Sequence, residues 1–204
     1  MKFLFVGSLL VTGVSAIPTP APAPPGIPSA STAKTQLAAL TVQVSYDDGQ
    51  YERSLFHTWT TVNGTCDTRE FVLKRDGTNV VTNSACTATS GTWFSPYDGA
   101  TWTAASDLDI DHMVPLKNAW ISGANTWSTA MRTQFANDID NPQLWAVTDN
   151  VNESKGDQSP DEWKPPLASF HCTYAKSWVA VKYAYDLSIT SAEKSALTSM
   201  LDTC

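Results

Sequence analysis

The sequence predicts a mixed α+β domain, because short β-prone runs and stretches with helical periodicity both occur in it. The clearest strand is 106–112, where acidic residues alternate with Leu108 and Ile110, so that one face is acidic and the other apolar. Apolar residues recur at helical spacing in 127–135 and again in 174–185. These three patterns together indicate separate strands and helices around one core.

The N-terminus is predicted to direct secretion. Residues 1–16 resemble a signal peptide, with Lys2 before an apolar stretch and small residues at the cleavage site. Residues 17–30 are rich in proline and alanine, which predicts an extended, solvated linker or pro-segment. Residues 31–204 then form a single domain, and the protein is expected outside the cell. In a secreted chain, Asn63 of Asn-Gly-Thr is a candidate for N-glycosylation.

The first half of the domain is predicted to contain short elements. Residues 31–40 fit a helix, and residues 51–59 fit a second helical or otherwise packed segment. A hairpin is expected where residues 71–73 and 79–82 flank Asp76-Gly77, a common turn dipeptide. A further turn at 97–99 separates two β-prone runs, 92–94 and 100–103.

Four cysteines in a secreted chain favour two disulfides over a metal cluster, and no Cys-x-x-Cys spacing is present. Three pairings are possible. We expect Cys66–Cys86 and Cys172–Cys204, because each would join neighbouring predicted elements. Zinc bound by the four cysteines is the alternative.

The second half is predicted to place two strands around a helical insertion. Strand 106–112 is followed by the helix over 127–135, and residues 144–148 supply the second strand. A helix carrying Asn152 should follow, capped by Asp149 or Asn150. Two more helices are expected at the C-terminus, and the last should begin with a capping box made by Thr190 and Glu193.

The neighbouring residues Asp111 and His112, with Asn152 later in the chain, carry the chemistry. A hard divalent cation prefers oxygen ligands, which a carboxylate and an amide offer. A neutral imidazole beside it can take the proton from an attacking water. These residue types suit metal-assisted hydrolysis of a phosphodiester.

The segments DHMVPLKNAW, FANDIDNPQLWAV and the run from Asn152 to Pro166 resemble the HNH, or ββα-metal, nucleases. The resemblance is closest to the C-terminal domain of GmrSD-type restriction enzymes. It implies an α+β fold with a ββα-metal core, additional helices and a disulfide-closed hairpin. It also implies that Asp111 and Asn152 are metal ligands, that His112 is the general base and that Asn141 orients the histidine. Magnesium is the expected ion, with manganese or calcium as alternatives.

Five further residues are candidates for contact with the substrate or for support of the site. Lys155 would contact a phosphate or remain solvated. By the same resemblance, Arg69 would stabilise charge on the scissile phosphate and Glu70 would orient groups near the metal, unless the two form a surface ion pair. Arg132 flanks the motif, and Trp163 could stack on a base.

The expected function is a secreted, metal-dependent endonuclease, monomeric and without a membrane anchor. DNA is the expected substrate, with RNA left open. The net charge of −7, or −8 once Lys2 is removed with residues 1–16, is unusual for a nucleic-acid-binding protein. It predicts weak, salt-sensitive binding. The alternatives are an inactive binding or effector protein with the HNH fold, or a tryptophan-rich carbohydrate-binding domain.

Overall fold

A computed structural model of the protein describes residues 22–204, so the predicted signal peptide lies outside the described residues. Within these described residues, seven α-helices combine with seven short strands in three small antiparallel sheets, which confirms the predicted α+β class. In chain order the elements are α1 (Ala30–Ala39), β1 (Thr61–Asn63), β2 (Cys66–Asp67), α2 (Thr68–Asp76), β3 (Gly77–Thr82), β4 (Ala88–Phe94), β5 (Thr101–Trp102), β6 (Leu108–His112), α3 (Leu116–Ile121), α4 (Thr129–Ala136), β7 (Leu144–Thr148), α5 (Asp149–Lys155), α6 (His171–Ala184) and α7 (Ser191–Leu201).

The segment before α1 departs from the predicted solvated linker. Pro24 is buried, and Ile27 packs against the main hydrophobic core. A Cβ at Gly26, whose φ is +78°, would lie only 3.1 Å from the carbonyl oxygen of Asp140. Residues 22–29 therefore belong to the folded domain, held by close backbone contact and by apolar burial.

The hairpin predicted from residues 71–73 and 79–82 is wrong, because residues 68–76 form helix α2. The Asp67 carboxylate accepts the backbone N–H of Glu70, and Glu70 accepts that of Asp67 in return. This capping box satisfies donors that a helix N-terminus leaves free, which outweighs the β preference of the apolar residues that follow. Val72 and Leu73 instead face the smaller of two hydrophobic clusters.

The second sheet pairs β3 with β4 and β4 with β5. Gly77 is paired with Trp93 across the two strands. A Cβ at Gly77 would collide with the Trp93 indole, so this position requires glycine. The predicted turn before residue 100 joins β4 to β5 and is confirmed. The expected disulfide between Cys66 and Cys86 is present and connects β2 to the β3–β4 turn.

Strands β6 and β7 form a two-stranded antiparallel sheet in which Asp111 pairs with Trp145 and His112 with Leu144. Helix α5 follows β7 without a loop and packs on both strands. Its N-cap is Thr148, rather than Asp149 or Asn150 as predicted, because the last residue of the strand is already the first residue of the turn into the helix. The inserted helix predicted over 127–135 is confirmed as α4.

The two C-terminal helices and α1 enclose the larger hydrophobic cluster. Thr190 and Glu193 form the predicted capping box at the start of α7. The expected disulfide between Cys172 and Cys204 joins the start of α6 to the C-terminus. With both disulfides formed, no cysteine is free, and the alternative of zinc bound by cysteines is contradicted. The smaller cluster lies between α2, β4 and the β6–β7 sheet, so that sheet separates the two cores.

Candidate active site

A polar cleft opens where β6 ends and α5 runs past it. Strand β6 brings Asp111 and His112 to this cleft, and α5 brings Asn152. The three residues on which the sequence prediction depends therefore lie in one site, although forty positions of chain separate His112 from Asn152. The cleft is lined by Arg53, Ile110, Asp111, His112, Pro115, Leu116, Asn152, Glu153, Gly156 and Asp157.

The His112 ring is buried, and its protonation state follows from its contacts. Its Nε2 lies 2.9 Å from the Ala136 carbonyl oxygen, which can only accept a hydrogen bond. Nε2 therefore carries the proton in the neutral ring, and Nδ1 keeps a free lone pair. Burial lowers the pKa of His112 to about 3, so the imidazole is neutral at ordinary pH. Trp59 stacks on the ring at a centroid distance of 5.8 Å and fixes its plane.

The Asp111 carboxylate is held from two sides in the interior. The Lys155 ammonium lies 2.8 Å from both carboxylate oxygens, and the Tyr97 hydroxyl donates to Oδ2. Lys155 also donates to the His112 backbone oxygen at 2.8 Å. Burial raises the pKa of Asp111 and lowers that of Lys155, and the ion pair between them opposes both shifts.

Lys155 was predicted to contact a phosphate or to remain solvated, and its position contradicts both possibilities. The side chain is fully buried, and the ammonium donates hydrogen bonds to Asp111 and to the His112 carbonyl. An ammonium has three donors. These contacts hold the Lys155 ammonium inside the protein, where its side chain is not exposed to a substrate.

The Asn152 amide has a defined orientation because its Nδ2 donates to Asp109 Oδ2 at 3.0 Å. A carboxylate only accepts, so the amide nitrogen must face Asp109 and the amide oxygen remains available. The Asn152 amide oxygen and the lone pairs of Asp111 that accept no hydrogen bond are hard oxygen donors, the kind of ligand that magnesium, manganese and calcium prefer. In residues 22–204 no group of three or more His, Cys, Asp or Glu side chains is placed to hold a metal ion.

Asn141 lies in the loop before β7 and makes no hydrogen bond to His112. Its side-chain nitrogen donates to Asp138 Oδ2 at 2.9 Å, and its backbone N–H donates to Asp138 Oδ1. Tyr185 donates to the same carboxylate. Asn141 therefore shapes the loop, whereas the carbonyl of Ala136 is the group that orients the imidazole.

Arg69 and Glu70 lie away from the cleft. The Arg69 guanidinium donates to the backbone oxygens of Ala105 and Leu108, and Glu70 belongs to the capping box of α2. Both line a different surface groove, beside strand β4. Neither residue lines the cleft that contains Asp111, His112 and Asn152, and the two form no ion pair with each other.

Arg132 and Trp163 also have structural contacts. Arg132 donates to the carbonyl oxygens of Leu55 and Trp127 and stacks over Trp120. The Trp163 ring is half-buried and packs against Tyr97, with its N–H donated to Ser154. Neither residue lines the cleft. Asn63, the candidate glycosylation site, is exposed at the end of β1.

Two residues of the site were not identified from the sequence. Tyr97 was assigned only to a turn, yet its buried hydroxyl binds Asp111. Arg53 lies in a short 3-10 turn, Arg53–Leu55, far from the motif in sequence, and it lines the cleft. No local pattern marks either residue as functional, because their roles depend on tertiary contacts alone.

Comparison with known families identifies the class of protein to which this α+β domain belongs. The family model for the C-terminal domain of GmrSD restriction endonucleases matches residues 67–200. The chain belongs to this family. Over its full length of 204 residues it is 62% identical to an uncharacterized secreted protein of Arthroderma benhamiae, and the match covers 100% of both chains. No solved structure matches the chain.

The protein is secreted. The relative from Arthroderma benhamiae is named as a secreted protein, and two disulfides suit an oxidising extracellular environment. Within residues 22–204, every helix is too short or too polar to cross a membrane.

Proposed function

We propose that this protein is a secreted, metal-dependent endonuclease that hydrolyses phosphodiester bonds in DNA, with His112 as the general base. The observation that carries the proposal is the state of His112. Its Nε2 proton is committed to the Ala136 carbonyl, and burial keeps the ring neutral, so Nδ1 is an acceptor beside hard oxygen donors. A general base needs such a free lone pair within reach of water.

Asp111 and Asn152 would hold the ion, which we expect to be magnesium, with manganese or calcium as alternatives. The bound ion would stabilise the negative charge that develops on the phosphate and on the leaving 3′ oxygen. Around it, Asp109 fixes the Asn152 amide, and Lys155 and Tyr97 fix the Asp111 carboxylate. The packing of α5 on both strands of the β6–β7 sheet supports the proposal that these elements form a ββα-metal core.

The acidic net charge is compatible with this function. Lys155 neutralises Asp111 inside the protein, and a divalent ion would add positive charge at the point where the phosphate binds. Binding of nucleic acid would then depend on the ion more than on a basic surface. We therefore expect low affinity, a strong effect of salt and little sequence specificity.

Cleavage of plasmid DNA by the purified protein, with Mg²⁺ or with EDTA, tests the proposal. His112→Ala should lower the rate by about 10²–10⁴-fold, the usual contribution of a general base. His57→Ala is the matched control, because His57 is an exposed histidine that does not line the cleft and should keep the wild-type rate. Parallel reactions with RNA and single-stranded DNA define the substrate.

Three results would contradict the proposal. The first is cleavage that continues in EDTA at the rate seen with Mg²⁺. The second is a His112→Ala variant that keeps more than about a tenth of the wild-type rate. The third is a folded wild-type protein that cleaves none of the nucleic acids, which would favour an inactive binding protein with the same fold.

A further inference from the structure

Arg53 stands out among the four arginines of the chain because its guanidinium has no hydrogen-bond or ion-pair partner in the part of the chain that the structure describes. Each of the other three donates to backbone or side-chain oxygens: Arg69 to Ala105 and Leu108, Arg75 to Asp76 and Leu144, and Arg132 to Leu55 and Trp127. Arg53 is exposed, and in residues 22–204 its side chain makes no hydrogen bond or ion pair.

The position of Arg53 is as informative as its lack of a partner. It lines the cleft that contains His112 and Asn152, and the other charged side chains of that lining are the carboxylates of Asp111, Glu153 and Asp157. Among the described residues that line the cleft, Arg53 is therefore the one whose side chain always carries a positive charge. Its charge also contributes to the low pKa of His112, behind the larger effect of burial.

The backbone under Arg53 is held firmly. Phe56, three residues later, is buried and packs against Trp120 and Phe135. The Phe56 N–H donates to the Arg53 carbonyl, and the Arg132 side chain donates to Leu55 at 3.1 Å. A cation on a fixed turn loses little backbone entropy when it binds a ligand, which favours a binding role over a mobile surface charge.

We propose that Arg53 binds a phosphate of the substrate in this cleft. A guanidinium presents paired N–H donors that match phosphate oxygens, and it stays charged at any working pH. The segment that carries it precedes residues 67–200, so a part of the chain outside the family-matching region contributes to the site. This inference rests on the proposed nuclease function.

Binding measured without turnover tests the inference. In a His112→Ala background with Mg²⁺, fluorescence anisotropy gives the Kd for a labelled DNA duplex at several salt concentrations. Adding Arg53→Gln should raise the Kd roughly ten- to a hundredfold, the usual effect of losing a charge-assisted hydrogen bond. It should also make the slope of log K against log salt shallower by about 0.9, the value for one phosphate contact. Arg53→Lys should give an intermediate Kd with the slope retained.

Lys74→Gln is the matched control, because Lys74 is exposed on α2 outside the cleft and the same charge is removed. It should leave the Kd and the salt slope nearly unchanged. If Arg53→Gln behaves like Lys74→Gln while the wild-type protein cleaves DNA, the inference fails and the proposed function stands. A raised Kd with an unchanged salt slope, or with a lowered Tm, would also overturn it, since either points to a structural role. If the wild-type protein neither binds nor cleaves nucleic acid, the proposed function fails first.

Discussion

Lys155→Met tests whether the buried ammonium supports the active site or only the fold. The substitution keeps most of the side-chain volume but removes the hydrogen bonds from Nζ to both oxygens of Asp111 and to the His112 carbonyl. Asp111 then remains in the interior with Tyr97 as its partner. Because burial already raises the pKa of Asp111, loss of the ammonium should raise it further and favour the protonated acid.

The expected cost is large because both partners of the ion pair are buried. The side chains of Lys155 and Asp111 are 0% and 6% exposed, so water cannot replace the lost contacts. Removal of one member of such a pair costs about 3–5 kcal/mol in the free energy of unfolding. For a domain of this size that corresponds to a fall in Tm of roughly 6–20 °C. The variant should still fold, since both disulfides remain.

Lys182→Met is the matched control. Lys182 is also fully buried and lies 3.5 Å from Glu193, in the core between α6 and α7 and away from the cleft. Urea unfolding should show a comparable loss of stability for both variants. Cleavage measured well below each Tm should differ: Lys182→Met keeps the rate per folded molecule, whereas Lys155→Met loses it because Asp111 no longer offers a charged ligand.

Two results would refute this reasoning. A stability loss below about 1 kcal/mol for Lys155→Met would match an exposed ion pair, and would mean that the side chain is not buried as described. Equal loss of cleavage in both variants would mean that activity follows general stability and that Lys155 has no particular role in positioning Asp111.

Three further predictions concern the metal site, pH and the disulfides. Asn152→Ala should lower the rate of cleavage and raise the Mg²⁺ concentration needed for the half-maximal rate, whereas Asn152→Asp should keep or tighten metal binding. If the two variants need the same Mg²⁺ concentration, Asn152 is not a metal ligand. In EDTA, the folded protein keeps His112 neutral down to about pH 3 while the unfolded chain binds a proton below about 6.5, so the free energy of unfolding should fall as pH drops through this window. The slope should approach about 1.4 kcal/mol per pH unit, and His112→Asn should flatten it in urea titrations. Reduction should cost about 2–4 kcal/mol per disulfide, and non-reducing peptide mapping should recover Cys66 with Cys86 and Cys172 with Cys204; any other pairing would contradict the structure.

Much of the fold follows from local patterns in the sequence. The alternation that ends at His112, the apolar run of β7 and the Thr190–Glu193 capping box each predicted an element that the structure contains. The failed hairpin has a local cause as well. Asp67 and Glu70 are spaced as a capping box, and this local signal for a helix outweighs the turn preference of the dipeptide at Asp76.

The surroundings of the candidate site could not be predicted in the same way. The motif shows that Asp111 and His112 are neighbours in sequence, but it does not show that Lys155 and Tyr97 close over the carboxylate. A lysine three residues after Asn152 suggested a solvent-facing phosphate contact. Its burial depends on how α5 packs against β6, and no periodicity within a helix of seven residues determines that.

The buried lysine bears on how the metal site should operate. An ammonium 2.8 Å from both oxygens of Asp111 cancels much of the charge that would otherwise attract a divalent cation. With Asn152 neutral, the two proposed ligands together offer little net negative charge, so the ion should bind weakly to the free enzyme. A substrate phosphate would supply the missing charge and further oxygen ligands.

We therefore expect the affinity for Mg²⁺ to rise when nucleic acid is bound. By thermodynamic reciprocity, the affinity for nucleic acid should rise by the same factor when Mg²⁺ is bound. Titration calorimetry on His112→Ala, with and without a duplex, measures both factors. Tight Mg²⁺ binding in the absence of nucleic acid would show that Lys155 does not offset the charge of Asp111.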